Sequence, residues 1–478
     1  MPNSPFVAPL LALSRHPLLA TVADHAVKAA ALLSLLFLLA GYMLLPTVPV
    51  FGHDEMHYYP YFDFKLREDG RWLNYLLHDF LRSVPLPLWS VLFVSLSWLL
   101  FYRIARIHAF EAAYAALVAS TIVLTTPFLE ISLWPGTVVP VLLLGLLATE
   151  LRARGVSHRV VYMLSGLLMF GSMQTLYFVL PLLFLPQLFA SSTSAGERWK
   201  LLASHMCWWV GGSIAGVLCM SLALRLLGGT FLVQPAEWRN INPAVDLETF
   251  QQNLSYVTER FFLILGQLRR AGGVGWSFVL AIAVVVLLRL RTLLAQLPAW
   301  LLLLAVLVSF FAFSVPLAAV ILSRSLIAMT AALVFAVAIL PGRTAPGRLL
   351  GTALLLTLAY NFSALCQDYL KTHDAETATL LGKLEALFPG YPKAYGTVAL
   401  YGTMDAEQPE ADRFNDPYRM HPFLITLGVH TYLDCRIVPS RCEQVGAGGA
   451  PLAEVPFGNG RLEFAVDSEN TGIISFRE

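Results

Sequence analysis

LPAWLLLLAVLVSFFAFSVP, residues 297–316, carries no charged side chain. A helix of this length rises about 30 Å, the depth of bilayer hydrocarbon. Ten further stretches read the same way, near 27–49, 87–105, 109–128, 136–151, 159–173, 175–191, 202–226, 274–291, 324–341 and 347–366. Runs this long are not strands, because strands cross lipid only in closed barrels, which alternate in polarity. The region 159–191 reads either as two short spans broken near Gly171–Gln174 or as one long kinked segment. The expected fold is an all-α polytopic membrane protein with about 11 transmembrane helices.

Composition agrees. Of 478 residues, 57% are hydrophobic and 13% charged, with a mean hydropathy of +0.65. A soluble domain carries about 25% charged residues. An ordinary soluble enzyme, a disordered chain and a fibrous repeat are therefore excluded. A net charge of +1 argues against a nucleic-acid partner. Five cysteines are too few for a disulfide scaffold.

Charge gives the orientation. With the N-terminus inside, the inside stretches hold Arg15, Lys28, Arg103, Arg106, Arg152, Arg154, Arg159, Arg198, Lys200, Arg289, Arg291, Arg343 and Arg348. This is the positive-inside pattern of a multi-pass membrane protein, and it favours the split near 171–174, since one long segment there would invert everything downstream. Of the 31 acids, 26 fall in three outside stretches: the loops 50–86 and 227–273 and the tail 367–478. Residues 1–26 lack the basic start of a cleaved signal and read as a cytoplasmic, surface-lying amphipathic segment. Residues 27–366 form the transmembrane domain. The tail reads as a small periplasmic α/β domain, with a helix near 373–388 and strands in "RLEFAVDSE" and "TGIISFRE". Cys435 and Cys442, close in sequence and in an oxidising compartment, are expected to form a disulfide. Cys207, Cys219 and Cys366 read as small apolar fillers.

The first outside loop is the densest in titratable groups: "FGHDEMHYYPYFDFKLREDGRWLNYLLHDFL", residues 51–81. Asp54 and Glu55 follow the first span by a few residues and so belong at the membrane–water boundary. A carboxylate there suits a general base acting on a hydroxyl whose co-substrate is anchored in lipid. His57, Tyr58, Asp69 and Trp72 are candidate substrate contacts, and the aromatics fit an interfacial belt as well as a sugar-stacking surface. Gly70 permits a tight turn. Arg71 then opens an amphipathic helix with Trp72, Leu73, Leu76 and Leu77 as its apolar positions, and its fork suits a phosphate.

The acidic pair Asp54–Glu55 soon after the first span, followed by Gly70–Arg71–Trp72–Leu73, resembles the bacterial type II glucosyltransferase family, the phage-type O-antigen-modifying enzymes of the GT-C class. "SMQTLYF" around Gln174 and "LSRSL" around Arg324 are weaker echoes. The resemblance covers about 27–366 and not the tail. Here the pair is Asp-Glu where Asp-Asp is commoner. The resemblance implies an inverting glycosyltransferase on the periplasmic face. It would move a sugar, glucose by family default, from a polyprenyl-phosphate carrier to a surface glycan such as O-antigen. Asp54 or Glu55 would deprotonate the acceptor, and Arg71, Arg324 and Arg270 would neutralise the donor phosphate. No cofactor is expected; a divalent ion shared by Asp54, Glu55 and His57 is the less favoured alternative.

Gln174, between two short spans, and Glu130, in "PFLEISLWPG", complete the candidate substrate contacts. The amphipathic run 249–270 should turn Tyr256, Phe261 and Leu265 toward lipid or the spans, and His205 beside Trp208 and Trp209 reads as an interfacial anchor. A lipid-linked-glycan transporter or flippase is the rival from another class, but no symmetry between halves is visible and charge is sparse at mid-span. An O-antigen polymerase or ligase is the nearer rival.

Overall fold

The computed structural model describes residues 17–45, 63–190, 193–234, 241–387, 398–401, 431–432, 453–457, 460–466 and 472–477. Asp54, Glu55, His57, Tyr58, Cys435 and Cys442 lie outside these residues. The described residues divide into two compact units, with the boundary between Asp368 and Tyr369.

The first unit is helical. Its elements are α1 (Pro17–Tyr42), α2 (Asp63–Asp69), α3 (Trp72–Ser83), α4 (Leu86–Ile107), α5 (Ala112–Val123), α6 (Thr126–Ile131), α7 (Pro135–Ala153) and α8 (His158–Met169). A 3-10 helix over Gln174–Leu183 follows, then α9 (Leu185–Phe189), α10 (Ala195–Gly228), α11 (Leu247–Ala271), α12 (Trp276–Ala295), α13 (Leu297–Ser314), α14 (Ile327–Ile339) and α15 (Ala345–Leu387), of which the part up to Asp368 belongs to this unit. Seven segments are long and apolar enough to cross a membrane: α1, α4, α7, α10, α12, α13 and Ala345–Thr372 of α15. The chain is therefore an all-α multi-pass membrane protein in its first unit.

The other four expected spans are helical but short, and the sequence explains each stop. α5 gives way at Thr125, before Pro127. α8 stops ahead of Gly171. The 174–189 segment contains Pro181 and Pro186, and α14 lies between the Ser323–Ser325 turn and Pro341–Gly342. α1 begins at Pro17, about ten residues earlier than expected, because nothing between 17 and 26 breaks a helix and proline suits a first turn.

Close backbone approaches hold the bundle. On α10, Gly212 and Gly216 form a GxxxG step that meets Gly166 of α8. A Cβ on Gly166 would fall 2.1 Å from the Gly212 carbonyl oxygen, and one on Gly216 would fall 2.6 Å from that of Gly166. Only glycine allows this crossing. Tyr42 Oη donates to the Val123 carbonyl at 2.8 Å and Ser363 Oγ to the Phe37 carbonyl at 2.7 Å, tying α1 to α5 and α15. Tyr256, Phe261 and Leu265 of α11 pack on a cluster with Phe311 of α13 and Met329 of α14, so of the two sides expected this amphipathic helix turns them to the spans.

Basic side chains expected inside are held by partners at one end of the bundle. Arg103 pairs with Glu150 at 3.1 Å, Arg348 with Glu111 at 2.6 Å, and Arg198 donates to the Ala295 carbonyl at 2.8 Å. Glu111 is thus an ion-pair partner. His205 is also corrected: it is wholly buried beside His158, with ring centroids 4.3 Å apart, and near Tyr162 Oη, so it is a core group between α8 and α10 and not an interfacial anchor.

In the second unit, β1 (Val398–Tyr401), β2 (Thr431–Tyr432), β3 (Ala453–Phe457), β4 (Gly460–Val466) and β5 (Gly472–Arg477) form one sheet in the order β2-β1-β5-β4-β3. β1 runs parallel to β2 and β5, and β3, β4 and β5 are antiparallel in sequence. The two strands expected from "RLEFAVDSE" and "TGIISFRE" are β4 and β5. Alternation along β4 leaves Arg461 exposed and buries Phe464. The expected helix near 373–388 is the continuation of α15.

Candidate functional site

The end of the bundle opposite the basic one is built from turns. Gly70 has φ +69°, and Met220 Sδ lies 2.3 Å from where a Cβ would sit, so only glycine fits between α2 and α3. Arg71 caps α3 as the sequence predicts. On the far side of that turn, Arg71 Nη2 meets Asp69 Oδ2 at 3.1 Å, and both side chains are largely buried. A buried carboxylate beside a guanidinium holds the fork in one orientation.

α3 is amphipathic, and it buries polar Asn74 as well as Leu81. Asn74 is fully buried, while Leu76 and Phe80 are 58% and 63% exposed. Asn74 Nδ2 donates to the Thr137 carbonyl at 2.9 Å, and its Oδ1 accepts from Ser172 Oγ at 2.6 Å. The Leu73 N–H donates to the Gly171 carbonyl at 2.7 Å. Trp72 packs against Gly171, where a Cβ would come within 2.4 Å of the indole. Gln174 Nε2 donates to the Asp69 carbonyl at 3.1 Å. The Gly171–Gln174 break between short helices is therefore the seat of the Asp69–Asn74 turn. Two candidate stretches about a hundred residues apart in sequence meet here.

A second pair of turns adjoins through α7. Glu130, on α6, accepts from Ser323 Oγ and from the Arg324 N–H, the latter at 3.1 Å. The Arg324 guanidinium stacks over Trp134, 4.3 Å from the ring centroid. Trp134 caps α7, whose Thr137 carbonyl is the acceptor for Asn74. Glu130 is thus committed to holding the 323–325 turn. Several buried polar atoms of this region have no hydrogen-bond partner among the described residues: Arg71 Nε, Trp72 Nε1, Trp134 Nε1, Thr137 Oγ1 and Thr175 Oγ1. Such groups cost about 1–3 kcal/mol each, and their gathering on one set of turns marks a place that handles polar matter.

Arg270 is exposed at the C-terminal turn of α11. Its neighbour Arg269 lines an apolar cavity of about 410 Å³ with Leu265, Phe278, Val279, Leu333 and Phe362, which runs along α14 from Thr330 to Leu340. Arg225, near the end of α10, donates to the Gly229 carbonyl at 2.7 Å and closes its own helix end. Among the described residues no group of three or more His, Cys, Asp or Glu side chains could hold a metal.

The structure brings together Asp69, Arg71, Trp72 and Gln174 in one cluster and Glu130 and Arg324 in the adjoining one. Asn74, Ser172, Trp134 and Thr137 were missed by sequence reasoning. Asn74 carries a signal, a lone amide on the inward face of an otherwise apolar amphipathic helix; Ser172 and Thr137 carry none. Compared with protein families, curated proteins and solved structures, the chain finds no match.

Proposed function

We propose that this protein is an inverting membrane glycosyltransferase with a GT-C-like arrangement of about 11 helical segments and a periplasmic α/β domain. It takes a sugar, glucose by the resemblance, from a polyprenyl-phosphate carrier and passes it to a surface glycan on the periplasmic face. The observation that carries this reading is the Gln174–Asp69 hydrogen bond, which seats the Gly70–Arg71 turn on the helix break. These are two separate strings of the glucosyltransferase resemblance, and they form one polar cluster.

In this reading Asp54 or Glu55 takes the proton of the acceptor hydroxyl. The oxygen attacks the anomeric carbon, the bond from that carbon to the phosphate oxygen breaks, and polyprenyl phosphate leaves with the electron pair. Arg71, oriented by Asp69, and Arg324, stacked on Trp134, neutralise the leaving phosphate. The apolar cavity beside Arg269 suits part of a lipid chain. The family of the donor sugar's acceptor is a surface glycan such as O-antigen. The test compares Asp54→Asn and Glu55→Gln with wild type for sugar transfer from polyprenyl-phosphate glucose in vesicles. At least one should lose nearly all transfer, with carrier-linked sugar left unconsumed; full activity in both would remove the base assignment and the reading with it.

A further inference from the structure

The basic end of the bundle holds a cavity of about 590 Å³ that the glycosyl-transfer reading does not use. Its size falls within the range of small-molecule sites. It opens among the α4–α5 turn, the end of α9, the α12–α13 junction and the α14–α15 turn. Its lining includes Arg289, Arg343, Arg348, Glu111, Phe110 and Tyr114.

The three arginines are not equivalent. Arg348 is engaged by Glu111 at 2.6 Å and lies 3.8 Å from Asp24. Arg289 and Arg343 have only carbonyl partners among the described residues. Arg289 Nη1 donates to the Ile339 and Leu340 carbonyls, and Arg343 Nη2 donates to the His108 carbonyl at 3.0 Å. Each bond occupies one edge of a guanidinium that has five N–H donors, so the fork is held in place and still has donors to offer.

The backbone around the cavity is specialised. Gly342 has φ +84°, and a Cβ there would lie 2.7 Å from Arg289 Nη1, so glycine is what admits that guanidinium. Ala109, also in the lining, has φ +56°, one of two non-glycine residues with positive φ among those described. A non-glycine residue held there is strained, and strain of this kind clusters at ligand sites. Arginines serving only to orient a span need neither a cavity nor a strained turn.

We propose that this cavity is an anion site for a phosphate ester, gripped by Arg289 and Arg343 and walled by Phe110 and Tyr114. It lies at the end that the charge bias places in the cytoplasm, so the phosphate comes from an inner-leaflet lipid head group or from a soluble phosphate ester. The site is independent of the transfer reading, and its test does not measure sugar transfer.

The full-length protein in detergent is titrated with phosphatidylglycerol, with diacylglycerol as the phosphate-free control, and separately with glycerol 3-phosphate, binding being read by native mass spectrometry. Wild type should bind one of the two phosphate probes and not diacylglycerol. Retention of phosphatidylglycerol alone identifies a lipid source, and retention of glycerol 3-phosphate a soluble one. The Arg289→Gln/Arg343→Gln double variant should bind about tenfold more weakly, as expected for loss of charge-assisted bonds. Arg343→Gln alone, at an exposed side chain, serves if the double variant does not fold, and should weaken binding in the same direction. Arg291→Gln removes a neighbouring charge outside the lining and should bind as wild type does. Binding of neither phosphate probe, or equal weakening in Arg291→Gln, would overturn the site.

Discussion

Asn74→Ala is the sharpest probe of the turn cluster. Asn74 is fully buried and joins α3 to both α7 and the Gly171–Gln174 break through two side-chain hydrogen bonds, 2.9 Å to the Thr137 carbonyl and 2.6 Å from Ser172 Oγ. A neutral hydrogen bond contributes about 1 kcal/mol net, and a buried group left unpaired costs about 1–3 kcal/mol. Removing the amide breaks both bonds and strands both partners, so the expected loss is about 2–4 kcal/mol. Ser172→Ala breaks one bond and should cost about 1–2 kcal/mol. Because Ser172 loses its partner in either case, the double variant should fall short of additivity by about 1 kcal/mol. The assay is unfolding by denaturing detergent in mixed micelles, followed by tryptophan fluorescence, since Trp72 and Trp134 flank the network. A loss below about 0.5 kcal/mol for Asn74→Ala, or strict additivity with Ser172→Ala, would refute the claim that this amide seats the turn.

Further outcomes follow from the same geometry. Arg71→Ala should lower sugar transfer by about 100-fold, and Arg71→Lys should not restore it, because an ammonium cannot reproduce the fork; kinetics in vesicles reads both. Asp69→Ala leaves the buried guanidinium of Arg71 without its ion-pair carboxylate and should destabilise by about 3–5 kcal/mol, seen as a lowered unfolding midpoint. Gly212→Leu cannot be accommodated where a Cβ already meets the Tyr162 carbonyl at 2.5 Å, so α8 and α10 must separate and thermal stability in detergent must fall. Asp246 caps α11 by accepting the Thr249 N–H at 2.8 Å, and this bond, with the Thr249 hydroxyl, holds its carboxyl below the usual value of 3.8. A lowered folded-state pKa means that the cap's contribution is complete above about pH 4 and lost as pH falls through the lower folded value. Hydrogen exchange over residues 247–250 should therefore quicken in Asp246→Ala at neutral pH and in wild type only under strong acid.

The parts of the fold legible in the sequence are those governed by local chemistry. Gly70 announced the turn, Arg71–Leu77 the amphipathic helix, and the small polar interruption at Gly171–Gln174 the split between α8 and the 3-10 helix. Span length was less legible: hydropathy averages over windows, so it did not register that Pro127, Pro181 and Pro341 cut apolar runs into short helices. The GxxxG step on α10 was readable in principle, but its partner Gly166 is a long-range fact. At the site, Arg71 and Gln174 were identifiable as polar residues in apolar surroundings. Their union through the Asp69 carbonyl was not, because a backbone acceptor has no residue identity. Glu130 illustrates the converse: an acid in a turn suggests a ligand contact, whereas here it receives the 323–325 turn.

The short helices have a topographic consequence. α5 and α8 have 12 residues each and α14 has 13. At 1.5 Å per residue these reach about 18–20 Å, against about 30 Å for bilayer hydrocarbon. All three have one end among the basic side chains, so the shortfall accumulates at the other, where the turns 124–134, 170–174 and 323–326 fill the missing depth. Phe128, Ile131, Ser132 and Ser172 in those turns are buried, which is how irregular backbone survives at that level. The polar cluster is therefore carried by turns that stand at a level where the long helices are still helical. In the proposed reading a head group bound there would lie below the ends of the long helices, where each charge on Arg71 or Arg324 would act more strongly than at the open surface.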